Sequence, residues 1–352
     1  MAKTYRLSLA NVYDRFASEL SPKHPLRPFT SQFFTPDPKI AYVAADGRHQ
    51  GRVVIHDLKT QNAEAVTPPG LTVHDFRLAP GRDRLIFSAT EQGENPLDQK
   101  IYRLKLGDRQ APAELLFDST DYQNFKFDLA PNGETLVVQR LSRRQAGRYG
   151  LWIATQNKQP HPLENQPGGE FIIAPDSASV AIAQGEGVAI LPLEPRAQPL
   201  DYLPRFGTVL SFGRTGIMAA MVKFNKDYTR SLYLVNNQGL QKELLKVSGQ
   251  VIAAQFNPQE TKIYAICTDL KQAGELFQEF PYLLEVNLAD GKSQRLYDLP
   301  PRQGVLNVDL AIAPDGRYLL MSANGTLMLR ATDGASAPIV FANPGVKPHW
   351  LP

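Results

Sequence analysis

The side chains of this chain that could do chemistry are present but not gathered. Gly291-Lys292-Ser293 matches the end of a phosphate-binding loop, yet the glycine that such a loop needs five positions before Gly291 is Val286. The context there reads strand-turn-strand, whereas a phosphate loop opens a helix. No Gly-x-Ser-x-Gly nucleophile elbow occurs. The six histidines (His24, His49, His56, His74, His161 and His349) show no metal-ligand spacing. His56 alternates with Val54 and Leu58 and reads as a core-edge or rim residue. Asp118 and Asp121 fall in a connection between repeats, where short carboxylates form turns. The single cysteine, Cys267, lies in an apolar strand, so there is no disulfide framework, and the residue reads as a small core hydrophobe. No catalytic set, cofactor site or metal site follows from these residues. A closed ring could still assemble a composite site around its axis from distant positions.

The elements that would position such residues come from a repeat. FRLAPGRDRLIFSA (Phe76–Ala89), FDLAPNGETLVVQR (Phe127–Arg140) and LAIAPDGRYLLMSA (Leu310–Ala323) are copies of one strand-turn-strand unit that recurs about every 45 residues. Its turn proline stands at Pro36, Pro80, Pro131, Pro175, Pro258, Pro314 and Pro352, with Phe212 substituting once. Two residues earlier the position is always bulky and apolar: Phe34, Leu78, Leu129, Ile173, Leu210, Phe256, Ile312, Trp350. The position between is mostly small, as in Ala79, Ala130, Ala174 and Ala313, which suits tapered packing towards an axis. A second strand follows each turn, then a third, then a weaker and more polar fourth. Apolar-polar alternation and Asp-Gly or Asn-Gly turns support strands throughout.

This predicts an all-β, seven-bladed propeller of four-stranded antiparallel blades, with the most apolar strands innermost. Residues 29–352 form the propeller as a single domain, and residues 1–28 form an N-terminal extension and linker. Within that extension Leu9, Val12, Tyr13, Phe16 and Leu20 fall at helical spacing, so residues 11–20 are a candidate amphipathic helix that packs on the propeller's edge. Pro28–Pro36 and Val346–Pro352 both carry the inner-strand pattern and compete for one place. One terminus is therefore expected to complete a blade begun by the other, with Trp350 buried at the seam.

Charge is nearly balanced, with 38 Lys and Arg against 35 Asp and Glu, and a net charge of +3 does not imply a nucleic-acid partner. No run approaches the ~20 apolar residues that span a bilayer, so only peripheral membrane association is open. The N-terminus lacks the uninterrupted apolar core of a signal peptide.

The repeats, with turns such as Pro175-Asp176 and Pro314-Asp315-Gly316, resemble those of TolB-type periplasmic propellers. They are also similar to the propellers that precede the hydrolase domain of prolyl oligopeptidases and dipeptidyl peptidases. The resemblance implies the fold, a tendency towards protein partners and no activity. It also implies a periplasmic or other extracytoplasmic setting if the chain is a mature form; a cytoplasmic one is the alternative. The N-terminal α/β domain of TolB itself and the hydrolase domain of the peptidases have no counterpart here.

Loop lengths point to a binding face. Turns after each first strand are short and lie on one face; loops after each second strand are long and lie on the other. Two of the long loops are basic, with Arg140, Arg143, Arg144 and Arg148 in the third unit and Lys223, Lys226 and Arg230 in the fifth. A third carries Arg48, His49 and Arg52, and the sixth, 268–280, adds Leu276, Phe277 and Phe280. The expected partner site is Arg143, Arg144, Arg148, Lys223 and Lys226 for an acidic surface, with Phe277 or Phe280 as an apolar anchor. The expected function is non-catalytic protein interaction in cell-envelope or membrane-complex assembly. The alternative is a hydrolase, lactonase or carbohydrate-binding propeller with its site at the central funnel.

Overall fold

The computed structural model describes residues 38–351, apart from 109–111, 146, 156–157, 164–167, 186, 195–199, 274–275, 300–306 and 335–336. The candidate helix 11–20, the linker after it and the strand-like segment 28–36 lie outside the described residues. Seven four-stranded antiparallel sheets form a ring, and the innermost strand of each touches the innermost strand of the next. Those inner strands are Gly345–Leu351 in blade 1, Leu71–Leu78 in blade 2, Tyr122–Leu129 in blade 3 and Phe171–Ile173 in blade 4. Phe206–Phe212, Val251–Phe256 and Val308–Ile312 serve blades 5, 6 and 7. The second, third and fourth strands of blade 1, Lys39–Ala44, Val53–Asp57 and Ala63–Ala65, come from the other end of the chain, and the C-terminal strand closes the ring by pairing with Lys39–Ala44.

The core is divided among the gaps between blades. Seven apolar clusters are present, one in each gap. Strand alternation produces this directly, because successive side chains point to opposite faces of a sheet. In Lys39–Ala44, Ala41 and Val43 pack towards blade 2, while Ile40, Tyr42 and Ala44 pack towards blade 7. A second strand is covered on both faces and has neighbours on both edges, so Arg84–Glu91 and Met218–Phe224 are buried over most of their length. Here the structure corrects the expected gradient: the innermost strands are less buried than the second ones, since one edge borders the axis.

The repeat's turn chemistry also has a packing reason. Ala79, Ala130, Ala174 and Ala313 are all buried. Gly133 adopts φ +73°, and a Cβ on it would lie 2.8 Å from Cδ of Pro80 in the neighbouring blade's turn. An Asn-Gly turn therefore answers both the left-handed backbone and the close approach. Cys267 is buried in the gap between blades 5 and 6, and burial pushes its thiol up to about 12, which removes it as a nucleophile at neutral pH.

The sixth-blade loop expected over 268–280 is largely strand. Lys262–Ala273 and Leu276–Asn287 pair from Lys262↔Asn287 to Ala273↔Leu276, so the insertion is a long hairpin continuing the blade. Trp350 is half-buried rather than buried at the seam, and its Nε1 donates to the Ala311 carbonyl of blade 7 at 3.3 Å.

Candidate functional site

Two regions gather polar and aromatic side chains: the inner strands around the axis, and the face that carries the long loops. The axial set lies in two further columns of the repeat. Three residues before the turn proline stand Arg77, Asp128 and His349, and five before it stand Asp75, Lys126, Glu170, Asp309 and Lys347. The same columns in blades 5 and 6 hold Val209, Gly207, Gln255 and Ala253, so the charge occupies only blades 7, 1, 2, 3 and 4.

These charges link the blades in order. Lys347 of blade 1 donates to Asp309 of blade 7 through Nζ and through its backbone N–H, both at 3.1 Å, and Ser322 donates to the same carboxylate at 3.0 Å. Arg77 of blade 2 donates to Asp75 at 2.9 Å and to Asp128 of blade 3 at 2.8 Å. Lys126 of blade 3 donates to Glu170 at the start of blade 4 at 2.7 Å. Between blades 1 and 2, His349 packs edge-on against Phe76 at 4.8 Å. Burial alone would raise the Asp75 carboxyl, but Arg77, Lys347, His349 and the Phe76 N–H hold it below the usual range. Burial, and then Arg77, pushes His349 down to about 4, so it is neutral at pH 7.

Local backbone irregularities aim these groups. Register shifts interrupt the inner strands between Val73 and Asp75, between Asn124 and Lys126, and opposite Ala41/Val43, where Lys347 takes φ +54°. Such bulges re-aim side chains near functional or strained positions, and no sequence pattern in this chain marks them. Among the described residues no group of three or more His, Cys, Asp or Glu is arranged to hold a metal ion.

On the long-loop face the expected basic cluster is partly consumed. Arg143 donates to the Ser119 carbonyl at 2.9 Å and pairs with Asp98, while Arg144 donates to Asp121 at 2.7 Å. Arg140 is not a loop cation: it is buried among Phe117, Tyr122 and Trp152, with Nε donating to Asn124 at 2.9 Å. Arg52 is tied to the Thr67 carbonyl. Lys223 is half-buried, its ammonium 4.8 Å from the Tyr233 ring and 5.6 Å from that of Phe206. Phe280 is half-buried beneath Lys271, and the side chain of Phe277 lies outside the described residues. Arg148 and Lys226 are exposed, and among the described residues no carboxylate pairs with either. The structure thus brings Arg143, Arg144 and Arg148 together in blade 3 and Lys223 with Lys226 in blade 5.

Beside these cations stands a set of exposed aromatics: Phe125, at the bulge of its inner strand, and Tyr149 in blade 3, Tyr202 on the outer strand of blade 4, and Phe224 and Tyr228 at the long-loop end of blade 5. Glycines placed opposite them were the available signal. A Cβ on Gly187 would meet the Tyr202 ring at 2.5 Å, and one on Gly207 would meet the Phe224 ring at 2.3 Å, so each ring occupies the space that a side chain there would fill. On the opposite face, a cleft of about 560 Å³ opens between blades 4 and 5, lined by Leu203, Phe212, Met218 and Met221 with Asp176 and Arg214 among its polar groups.

No family model matches this sequence, and no curated protein does. Solved structures resemble it in fold. A TolB from Acinetobacter baumannii is 12% identical with a TM-score of 0.50; the match covers 89% of this chain and 66% of that one, so this chain spans just under two thirds of that protein's length. An oligogalacturonate lyase from Vibrio parahaemolyticus is 12% identical with a TM-score of 0.56, covering 82% of both chains. A protein from Bacteroides uniformis, provisionally named a 6-phosphogluconolactonase, is 12% identical with a TM-score of 0.59, covering 90% of this chain and all of that one. The likeness is one of fold, and a fold does not by itself fix a function.

Proposed function

We propose that this chain is a non-catalytic protein-interaction propeller whose docking face is the one with the long loops, acting in assembly or maintenance of a cell-envelope or membrane complex. The observation that carries this reading is the set of exposed aromatic side chains on that face, spread over three successive blades beside the cations Arg148 and Lys226. Aromatic anchors with surrounding charge are what protein interfaces concentrate. Arg143 and Arg144 belong to the same site as a rim: their ion pairs hold the loop in place and leave Arg144 exposed. Phe280, on the sixth-blade hairpin, extends it. The resemblance of the repeats to TolB-type periplasmic propellers supports an extracytoplasmic setting.

A second reading, a lyase, hydrolase or lactonase working at the axis, draws on the convergence of Asp75, Asp128, Asp309 and His349 there and on the enzymes among the fold's neighbours. Against it, Asp75, Asp128 and Asp309 each spend oxygens on Arg77 or Lys347. One experiment separates the two. Affinity capture with quantitative mass spectrometry compares the native chain, the double variant Arg148→Glu/Lys226→Glu, and Glu134→Lys in a short turn. The interaction reading expects a partner lost with the double variant and kept with Glu134→Lys. Loss with Glu134→Lys alone would move the site to the other face. Turnover of a lactone or an acidic oligosaccharide that disappears in Asp128→Asn would establish the axial enzyme instead.

A further inference from the structure

Blade 5 carries one side chain that the fold presents rather than packs. Tyr228 is 88% exposed, at the tip of the turn between the second and third strands. It also adopts φ +64°, a left-handed conformation that a bulky residue takes only where its surroundings impose it. They do impose it. The Tyr228 N–H donates to the Asn225 carbonyl at 3.1 Å, and the Asn225 N–H donates to the Thr229 carbonyl at 3.0 Å. The Asn225 side-chain amide donates to Thr229 Oγ1 at 2.9 Å and to Ser231 Oγ at 2.8 Å. Asp227 accepts from Thr229 Oγ1 at 2.5 Å and from Lys246 at 2.6 Å, which also cancels its charge. Arg230 donates to the Tyr228 carbonyl at 3.0 Å while its guanidinium lies 4.4 Å above the Phe224 ring.

The result is an ordered knob on a basic, aromatic base. Phe224, where the turn begins, covers Gly207, whose missing Cβ leaves room for the ring. Lys226 and Arg205 are exposed beside it, and among the described residues no carboxylate pairs with either. A flat chain such as a polysaccharide stacks on platforms and leaves a protruding ring uncovered. Because the backbone that carries the ring is held in advance, only the side chain's own freedom is lost when it enters a pocket, and a pocket needs a folded partner. The unpaired cations select the sign of that partner's surface.

Resting on the interaction reading above, we infer that the Phe224–Arg230 turn is the docking tip of this protein, and that Tyr228 inserts into a pocket on an acidic face of a folded partner protein.

The test places a benzophenone side chain at position 228, at 149 on the same face, or at 318 on the opposite face, in the full chain in its own host. Irradiation is followed by identification of the adduct, purification of that protein and titration of the complex. The inference expects an adduct from 228 with one acidic protein, and none from 318. Tyr228→Ala should then weaken the purified complex by about thirtyfold, the size of an interface hot spot. Lys226→Glu should weaken it and flatten its salt dependence, while Tyr318→Ala leaves it unchanged. Adducts from 149 but not 228, or full affinity in Tyr228→Ala, would overturn the knob while leaving the docking face in place. Adducts only from 318, or from none of the three, would overturn both. An adduct with a second copy of this chain or with a polysaccharide would overturn the inferred partner.

Discussion

Arg77 is the residue on which the axial ion pairs depend. Burial alone would lower its guanidinium, but Asp75 and Asp128 hold it above its ordinary value, so it stays charged at every accessible pH. Replacing it with Leu leaves two largely buried carboxylates without the cation that hydrogen-bonds them both, a loss of about 3 to 5 kcal/mol, seen as a melting temperature lower by several degrees. The double variant Arg77→Leu/Asp128→Leu should recover part of that loss, because one of the two stranded charges is then removed. His349 gives the same region a pH dependence. Its folded value, about 4, lies below the ordinary 6.5, so the unfolded chain binds the proton first. Stability from this group is therefore complete above about pH 6.5 and is lost as the pH falls from there towards 4, by up to roughly 3 kcal/mol. The variant His349→Gln should show a shallower fall in melting temperature between pH 7 and pH 4.5; an identical slope would show that other groups set the acid limit.

The element that decides the ring is its last strand. Gly345–Leu351 lies beside Lys39–Ala44, presents Leu351 to the blade 1/2 gap and Trp350 to the blade 7/1 gap, and covers an edge that would otherwise stand open. Deleting residues 345–352 should lower the melting temperature by ten degrees or more, on the order expected when a full core strand is lost. A milder variant tests the fit. A Cβ on Gly345 would lie 2.4 Å from the Tyr42 ring, which is 1% exposed and has nowhere to move. Gly345→Ala should cost about 1 to 3 kcal/mol by overpacking, measured by chemical denaturation.

At the scale of the whole molecule, seven equivalent gaps share the core, and opening one exposes the faces of two blades. Leu151 fills the gap between blades 3 and 4, and Leu232 the gap between blades 5 and 6; both are fully buried. Each, changed to Ala, should cost about 2 to 5 kcal/mol. Because they share no neighbours, the losses should add in the double variant to within about 0.5 kcal/mol. Loss of a single blade's signal ahead of the rest in the denaturation curve would show that the ring opens locally instead of as a unit. The same geometry would separate roles under the proposed function, with the ring as the stiff scaffold and the rim of the long-loop face as the docking surface.

The propeller was legible in the sequence because its determinants are local and repeated. A turn proline with a bulky residue two positions before it and a small one between recurs often enough to count blades, and strand alternation assigns each side chain to a gap. The C-terminal pattern at Trp350 likewise announced that the ends meet. Which terminus took the inner place was a contest between two similar segments, decided by tertiary pairing. The site was less legible, because charge in a list of residues says nothing of its partners. Arg140, Arg143 and Arg144 read as one basic loop, yet one is buried among aromatic rings and two are bound to Asp98 and Asp121. Asp75 and Arg77 share one strand but lie far along the chain from Asp128, Asp309 and Lys347, and the ion pairs between blades form only because inner strands converge on one axis. Bulges that aim them, and the turn that raises Tyr228 above its blade, depend on backbone conformations that neighbouring elements impose. Local patterning determined the ring; long-range convergence alone decided which charges were spent inside it and which side chains were left outside.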